Sequence, residues 1–254
     1  MSFKMLSQKS IDAAQRSRES VTRRFSNLRP GDNTALIIEK LSHAVERGRS
    51  PTYVECGVFT GGAFMTIKDF LDSQGTPYSM YGVDSFEGFP AGVVNSHDHP
   101  ENFLKQHSSG QISDLVLEMA RSRTSGLSDA SHLTGEYFRR DDLIEMHKER
   151  LAGQSSASIV VGAFSTSLDS LKCSEIDVLF LDCDLYESYL ICLEKLFDRI
   201  VPGGAIVFDE VYSYKYPGAR DAVFEFFESR MHLGSFEVYQ HPAPFERWCF
   251  VRSM

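Results

Sequence analysis

No run of eighteen apolar residues occurs anywhere in the 254-residue sequence, which excludes a membrane-spanning helix. Cysteine is scarce and unpatterned. The five cysteines (Cys56, Cys173, Cys183, Cys192, Cys249) are odd in number and lack both a CxxC pair and zinc spacing, so neither a disulfide framework nor a structural zinc is expected. Four of them sit in apolar runs, as reduced, buried thiols of a cytoplasmic protein do. Positive charge is short as well: 26 Lys/Arg face 35 Asp/Glu, a net charge of −9, which argues against nucleic acid as the main partner. The dinucleotide fingerprint GxGxxG and the P-loop Gly-Lys-Ser/Thr are both missing. No internal repeat or low-complexity tract appears. The N-terminus has no apolar core for a secretory signal, although the Arg/Ser-rich "QRSRESVTRRFS" leaves a transit peptide open.

What is present is an ordinary globular composition, 42% hydrophobic and 24% charged, in a length that suits one large α/β domain. Charge is uneven: residues 1–50 carry ten Lys/Arg against five Asp/Glu, so the acidic excess lies beyond them. This basic stretch reads as a helical arm, either solvated or folded over an acidic mouth. Its periodicity gives a polar helix over 8–25. A second over 34–47 has Ile37, Ile38, Leu41 and Val45 on one face behind the possible caps Asp32 and Asn33. Short β-rich runs follow at 52–58, 79–85, 158–164, 177–183 and 204–210, alternating with helix candidates at 62–72, 139–151, 188–199 and 217–230. That alternation predicts a parallel sheet covered on both faces. The tail "SFEVYQHPAPFERWCFVR" reads as a hairpin whose second strand joins the sheet antiparallel. Residues 90–135 are an insertion of the length that builds a lid or substrate wall. A helical stretch lies near 101–121, and the "HDHP" within the insertion lacks partners at metal-ligand spacing.

Two constellations carry chemistry. In "VECGVFTGG" a strand turns into a helix, and Gly57, Gly61 and Gly62 let a ligand approach backbone and helix N-terminus closely. Glu55 beside that turn would repel a pyrophosphate and suits a cationic ligand. Asp84, 27 residues after Gly57 at the next strand end, sits where an acid takes a ribose diol, so a nucleoside ligand is expected. The second constellation is the acid pairs Asp182/Asp184 and Asp209/Glu210, each ending a strand. A right-handed crossover would set those strands side by side, about 4.8 Å apart. Four converging carboxylates repel one another, and Mg²⁺ relieves that repulsion while leaving sites for substrate. Asp182 and Asp184, two apart on an extended backbone, are expected to face the same way, with Cys183 turned into the packing.

The pieces "VECGVFTGG", "YGVDSFEGFP", "VVGAFSTSL", "LDCDLYES", "VPGGAIVFDE" and "PGARDAVFEF", in this order over residues 52–230, resemble the macrocin-type O-methyltransferases. These are class I, S-adenosylmethionine-dependent enzymes that methylate hydroxyls on the sugars of antibiotics. The resemblance implies a Rossmann-like, mostly parallel seven-stranded sheet with an antiparallel C-terminal hairpin. It makes residues 1–50 a helical lid and 51–254 the methyltransferase domain. By that resemblance Asp182, Asp209 and Glu210 match the Mg²⁺ ligands, with Asp182 also at the cofactor, and Asp184 matches the general base. Glu55, Gly57, Gly61 and Gly62 match the methionine-side cradle, Asp84 and Ser85 the ribose contacts, and Gly162 with Phe164 the adenine side. Glu210 departs from the family's usual aspartate and reaches one methylene further. The acceptor implied is a glycoside or other hydroxylated natural product, with walls from 90–135 and 211–218, where Tyr212, Tyr214 and Tyr216 could stack. Nucleic acid and membrane are not expected as partners, and a homo-oligomer is left open. A catechol-type enzyme acting on phenolic diols and a catalytically silent S-adenosylmethionine-binding protein are the alternatives.

Overall fold

In the computed structural model the described residues are 3–24, 33–89, 92–123, 140–240 and 246–254. The expected strands all form: β2 (Thr52–Cys56), β3 (Ser79–Asp84), β4 (Ala157–Val161), β5 (Ile176–Leu181), β6 (Ile200–Phe208), β7 (Gly234–Gln240) and β8 (Glu246–Arg252). An eighth, β1 (Phe3–Met5), corrects the count of seven: three residues are too short to show a period, and they pair with β7 at one edge. The order is β1-β7-β8-β6-β5-β2-β3-β4. Every pairing is parallel except those of β8, which inserts antiparallel between β6 and β7. The Pro-containing link of this hairpin lies outside the described residues.

Helices cover both faces because strand residues alternate between two cores. Val54, Cys56, Leu179, Leu181, Ile206 and Phe208 face one side. There they meet α8 (Tyr186–Leu196) and α9 (Gly218–Phe227). Tyr53, Val178, Phe180 and Val207 face the other, against α2 (Thr34–Glu46) and α3 (Gly62–Gln74). α1 (Gln8–Arg24) lies over α2 and α3, contributing the small buried residues Ser10, Ala14 and Ser17, which permit close helix approach. The described parts of the first fifty residues, β1, α1 and α2, pack against the rest of the chain. The apolar face of α2 (Leu36, Ile37, Ile38, Leu41) is core, and β1 is tied down by Lys4 on Glu237, which also takes Lys40 Nζ at 2.7 Å. Residues 25–32, between α1 and α2, lie outside the described residues. Among the described residues no helix is long and apolar enough to cross a membrane.

The insertion holds two helices where one was expected, α4 (Pro100–Ser108) and α5 (Asp114–Arg123), broken at Gly110 with φ +78°. Residues 124–139 lie outside the described residues, and α6 (Arg140–Arg150) and the one-turn α7 (Phe164–Ser167) follow. "HDHP" docks the insertion onto two helix starts. Asp98, fully buried, accepts the Tyr186 N–H at 2.8 Å, while His97 Nδ1 lies 2.7 Å from Asp221 and its ring stacks on Tyr186. Asn102 and Gln106 also donate to Asp221.

Candidate active site

The carboxyl ends of four parallel strands finish at one level. The backbone ladder runs one residue past each: Asp182 N–H to Cys56 O (2.9 Å), Asp209 N–H to Leu181 O (3.1 Å), Gly57 N–H to Val83 O (3.0 Å) and Gly162 N–H to Asp84 O (2.9 Å). The turns carrying the candidate residues therefore start side by side, and a cavity of about 790 Å³ opens above them. Gly57, Asp84, Ser85, Gly162 and Phe164 line one part of it. Asp182, Asp184, Leu185, Lys215, Tyr216, Phe89 and Val93 line another.

Gly57 is fixed by close approach. With φ +90°, an added Cβ would lie 1.7 Å from the Asp182 carbonyl oxygen, so only glycine lets these two strand ends meet. Asp84 accepts the N–H groups of Val58 and Phe59, both at 2.8 Å, on one oxygen and that of Phe86 at 2.7 Å on the other. It thus holds two turns in which Phe59 and Phe86 take positive φ. Behind these turns His147, 1% exposed, bonds the Phe59 carbonyl through Nε2 at 2.8 Å and packs against Gly61 and Phe86. Arg150 donates to the Thr60 carbonyl at 3.0 Å.

Three of the cradle residues lie elsewhere than expected. Gly61 caps α3 against His147, and Gly62 begins that helix; neither lines the cavity. Glu55 does not line it either. It is buried under the turn, accepting the Tyr53 hydroxyl at 2.6 Å and the Phe64 N–H of the first α3 turn. Burial raises its pKa to about 8, with Asp84 adding to the shift and its donors opposing it.

The acids converge, but not through an extended backbone. Asp184 has φ +61°, and Leu185 N–H closes onto the Cys183 carbonyl at 2.6 Å, a three-residue γ-turn. Such a conformation costs about 1–3 kcal/mol in a non-glycine residue and persists where surroundings enforce it. Oxygens of Asp182, Asp184 and Glu210 then lie within 4.8 Å of one another. Cys183 is packed in the core as expected, 6% exposed. Withdrawal from water pushes all three acids up. Asp182 and Glu210 rise well above the carboxylate range, aided by Asp209, and Asp184 reaches about 7, with Lys215 opposing the rise. Asp209 is absent from this cluster. It is exposed and accepts the amide of Asn33, while Glu210 lies buried against the Tyr189 hydroxyl.

Tyr189, Lys215, His147 and Tyr53 support the site without any sequence signal that singles them out. Asn33 had one, as a helix-cap residue, and it pointed elsewhere: its side chain makes no cap hydrogen bond. Of the three loop tyrosines only Tyr216 lines the cavity, edge-on to Phe89 with ring centroids 5.8 Å apart. Tyr214 packs on Phe103 and Tyr212 on Trp248.

The chain is similar to known proteins. A Streptomyces olivaceus protein, 8-demethyl-8-(2,3-dimethoxy-alpha-L-rhamnosyl)-tetracenomycin-C 4'-O-methyltransferase, is 26% identical over 208 residues, 82% of this chain and 68% of the relative. Demethyldecarbamoylnovobiocin O-methyltransferase of Streptomyces niveus is 26% identical over 68% of this chain, which spans only 56% of that relative. Among solved structures, the O-methyltransferase NovP superposes with a TM-score of 0.59 over 96% of this chain and 100% of its own, at 17% identity, a likeness of fold. Residues 36–232 match the macrocin O-methyltransferase (TylF) family, and the chain belongs to that family.

Proposed function

We propose that the protein transfers the methyl group of S-adenosylmethionine to a hydroxyl of a sugar or sugar-bearing natural product. The observation that carries this reading is the meeting, in one cavity, of a nucleoside-sized cradle with Asp182 and Asp184, on which the buried Glu210 converges from beside the cavity. The cradle is Gly57, Asp84, Ser85, Gly162 and Phe164. Asp84 retains lone-pair capacity for a ribose diol beyond its three backbone donors.

The acids fit a hard divalent cation. Three carboxylates within 4.8 Å, raised in pKa by burial and by one another, are a donor set that a cation stabilises. Asp182 and Glu210 would hold Mg²⁺, with Asp209 reaching in from the rim. Bound there, the ion would lower the pKa of adjacent acceptor hydroxyls. Burial raises Asp184 to about 7 in the metal-free protein, and as the acid not assigned to the ion it would accept the hydroxyl proton. As the acceptor oxygen bonds to the methyl carbon, the carbon–sulfur bond breaks, Asp184 takes the hydroxyl proton, and S-adenosylhomocysteine leaves. Leu185, Phe89, Val93 and Tyr216 form an apolar wall that keeps water from the reacting atoms and orients the acceptor. Glu55, beneath the cradle, fixes the start of α3.

Asp184→Asn keeps the size of the side chain and removes the base. Turnover should fall by about 10²–10⁴ while S-adenosylhomocysteine binding by calorimetry stays within twofold. Retained turnover would remove Asp184 from this role. The same apolar wall also suits a flat phenolic diol. Parallel assays with catechols and with rhamnosides separate the two acceptor classes, and methylation of catechols alone would overturn the sugar reading.

A further inference from the structure

We propose that Asn33 is a positioning residue for the acidic cluster: its carboxamide holds Asp209 in line for a divalent cation and ties the N-terminal arm to cation binding. The inference rests on the metal reading above. Asn33 opens α2, where asparagine normally caps its own helix. Here it makes no cap bond. Nδ2 donates instead to Asp209 Oδ1, 176 residues along the chain. The side chain is 1% exposed, and Oδ1 has no hydrogen-bond partner among the described residues.

A buried carbonyl oxygen without a donor is a cost that a purely structural contact does not explain. An apolar residue of the same volume would fill the space without it. The amide arrangement makes sense if the nitrogen orients Asp209 and the oxygen awaits a donor brought by the bound ion, such as a coordinated water. The next residue, Thr34, is fully buried and accepts Arg18 Nη2 at 2.9 Å, so the same helix start is gripped by α1. Asp209 is adjacent to Glu210, whose carboxyl bonds Tyr189. Two successive residues at the start of α2 are thus held in opposite directions, Thr34 by Arg18 of α1 and Asn33 by the acid next to Glu210. Asp209, exposed and outside the convergent cluster, is the acid most in need of such a guide.

The test titrates MgCl₂ alone into the full-length protein by calorimetry, for wild type, Asn33→Leu and Asn33→Asp, with thermal melts beside each. Removing an outer-shell partner typically weakens metal affinity 10–100-fold, so Asn33→Leu should raise the Mg²⁺ Kd at least about tenfold. Its metal-free melting point should be unchanged or higher, because the unpartnered carbonyl is gone. Asn33→Asp places a carboxylate against Asp209, so its metal-free melt should fall and recover with Mg²⁺. Asn33→Leu with lowered stability and wild-type Mg²⁺ affinity would show a structural residue only. If Asn33→Leu does not fold, an Asn33→Asp melt that Mg²⁺ fails to restore overturns the proposal equally. Wild-type protein that binds no Mg²⁺ would sink the metal reading itself, and this inference with it.

Discussion

Tyr189 offers the sharpest test of how the acid cluster is built. Its hydroxyl is fully buried and lies against two acceptors, the Leu181 carbonyl at 2.9 Å and Glu210 Oε2. A phenol has one proton to give. Both contacts are satisfied together only if the Glu210 carboxyl carries a proton and donates to the tyrosine oxygen. Burial and the neighbouring acids raise Glu210 well above its usual range, which agrees. Tyr189→Phe therefore removes the hydrogen bond to Leu181, whose carbonyl keeps the Asp209 N–H at 3.1 Å, together with the long one from the Glu210 N–H at 3.4 Å, and leaves the buried Glu210 carboxyl short of a partner. The first loss is about 1 kcal/mol and the second about 1–3 kcal/mol, so about 2–3 kcal/mol is expected after the gain from a more apolar ring. With a urea slope of about 3 kcal/mol/M, the metal-free unfolding midpoint should drop by roughly 0.7–1 M. A double-mutant cycle with Glu210→Gln should show coupling above about 1 kcal/mol. A midpoint shift under about 0.2 M, or additivity of the two changes, would refute the proton-sharing arrangement.

Two further outcomes follow from the same geometry. Glu55 and Asp184 have folded pKa values of about 8 and about 7, above their ordinary 4.5 and 3.8, so their contribution is full below about pH 4 and lost as pH rises through 7 and 8. The metal-free protein should lose urea resistance steadily from pH 5 to 8. Glu55→Gln should lessen that fall by up to about 1.4 kcal/mol per pH unit, and a flat wild-type profile would contradict the buried-acid reading. Gly57→Ala forces a Cβ to within 1.7 Å of the Asp182 carbonyl oxygen at φ +90°. Strain and overpacking together should cost about 3–5 kcal/mol, read as a lowered denaturation midpoint with S-adenosylhomocysteine binding lost, whereas a wild-type melt would exclude the close approach.

What the sequence made legible is what local pattern controls. Apolar runs marked seven strands and periodicity marked the helices, because each element must bury one face whatever its neighbours do. Strand ends were legible too, since Gly57, Asp84, Asp182 and Asp209 each follow an apolar run and a parallel sheet brings such ends together. The reach of each side chain from its strand end was not. Asp184 arrives beside Asp182 through a γ-turn, an arrangement that spacing of two residues cannot distinguish from an extended strand. Glu55 follows the strand alternation that also carries Tyr53, so it lies under the cradle rather than in it. Asn33 has the local chemistry of a helix cap, and only the packing of α2 against the sheet hands its amide to Asp209. The expected set of ligands and the convergent set thus differ by one exchange, Asp184 for Asp209. That exchange depends on a turn conformation and a long-range amide, neither of which has a sequence period. Titrating Mg²⁺ into Asn33 and Asp184 variants separately tells which of those two acids the proposed cation site would need.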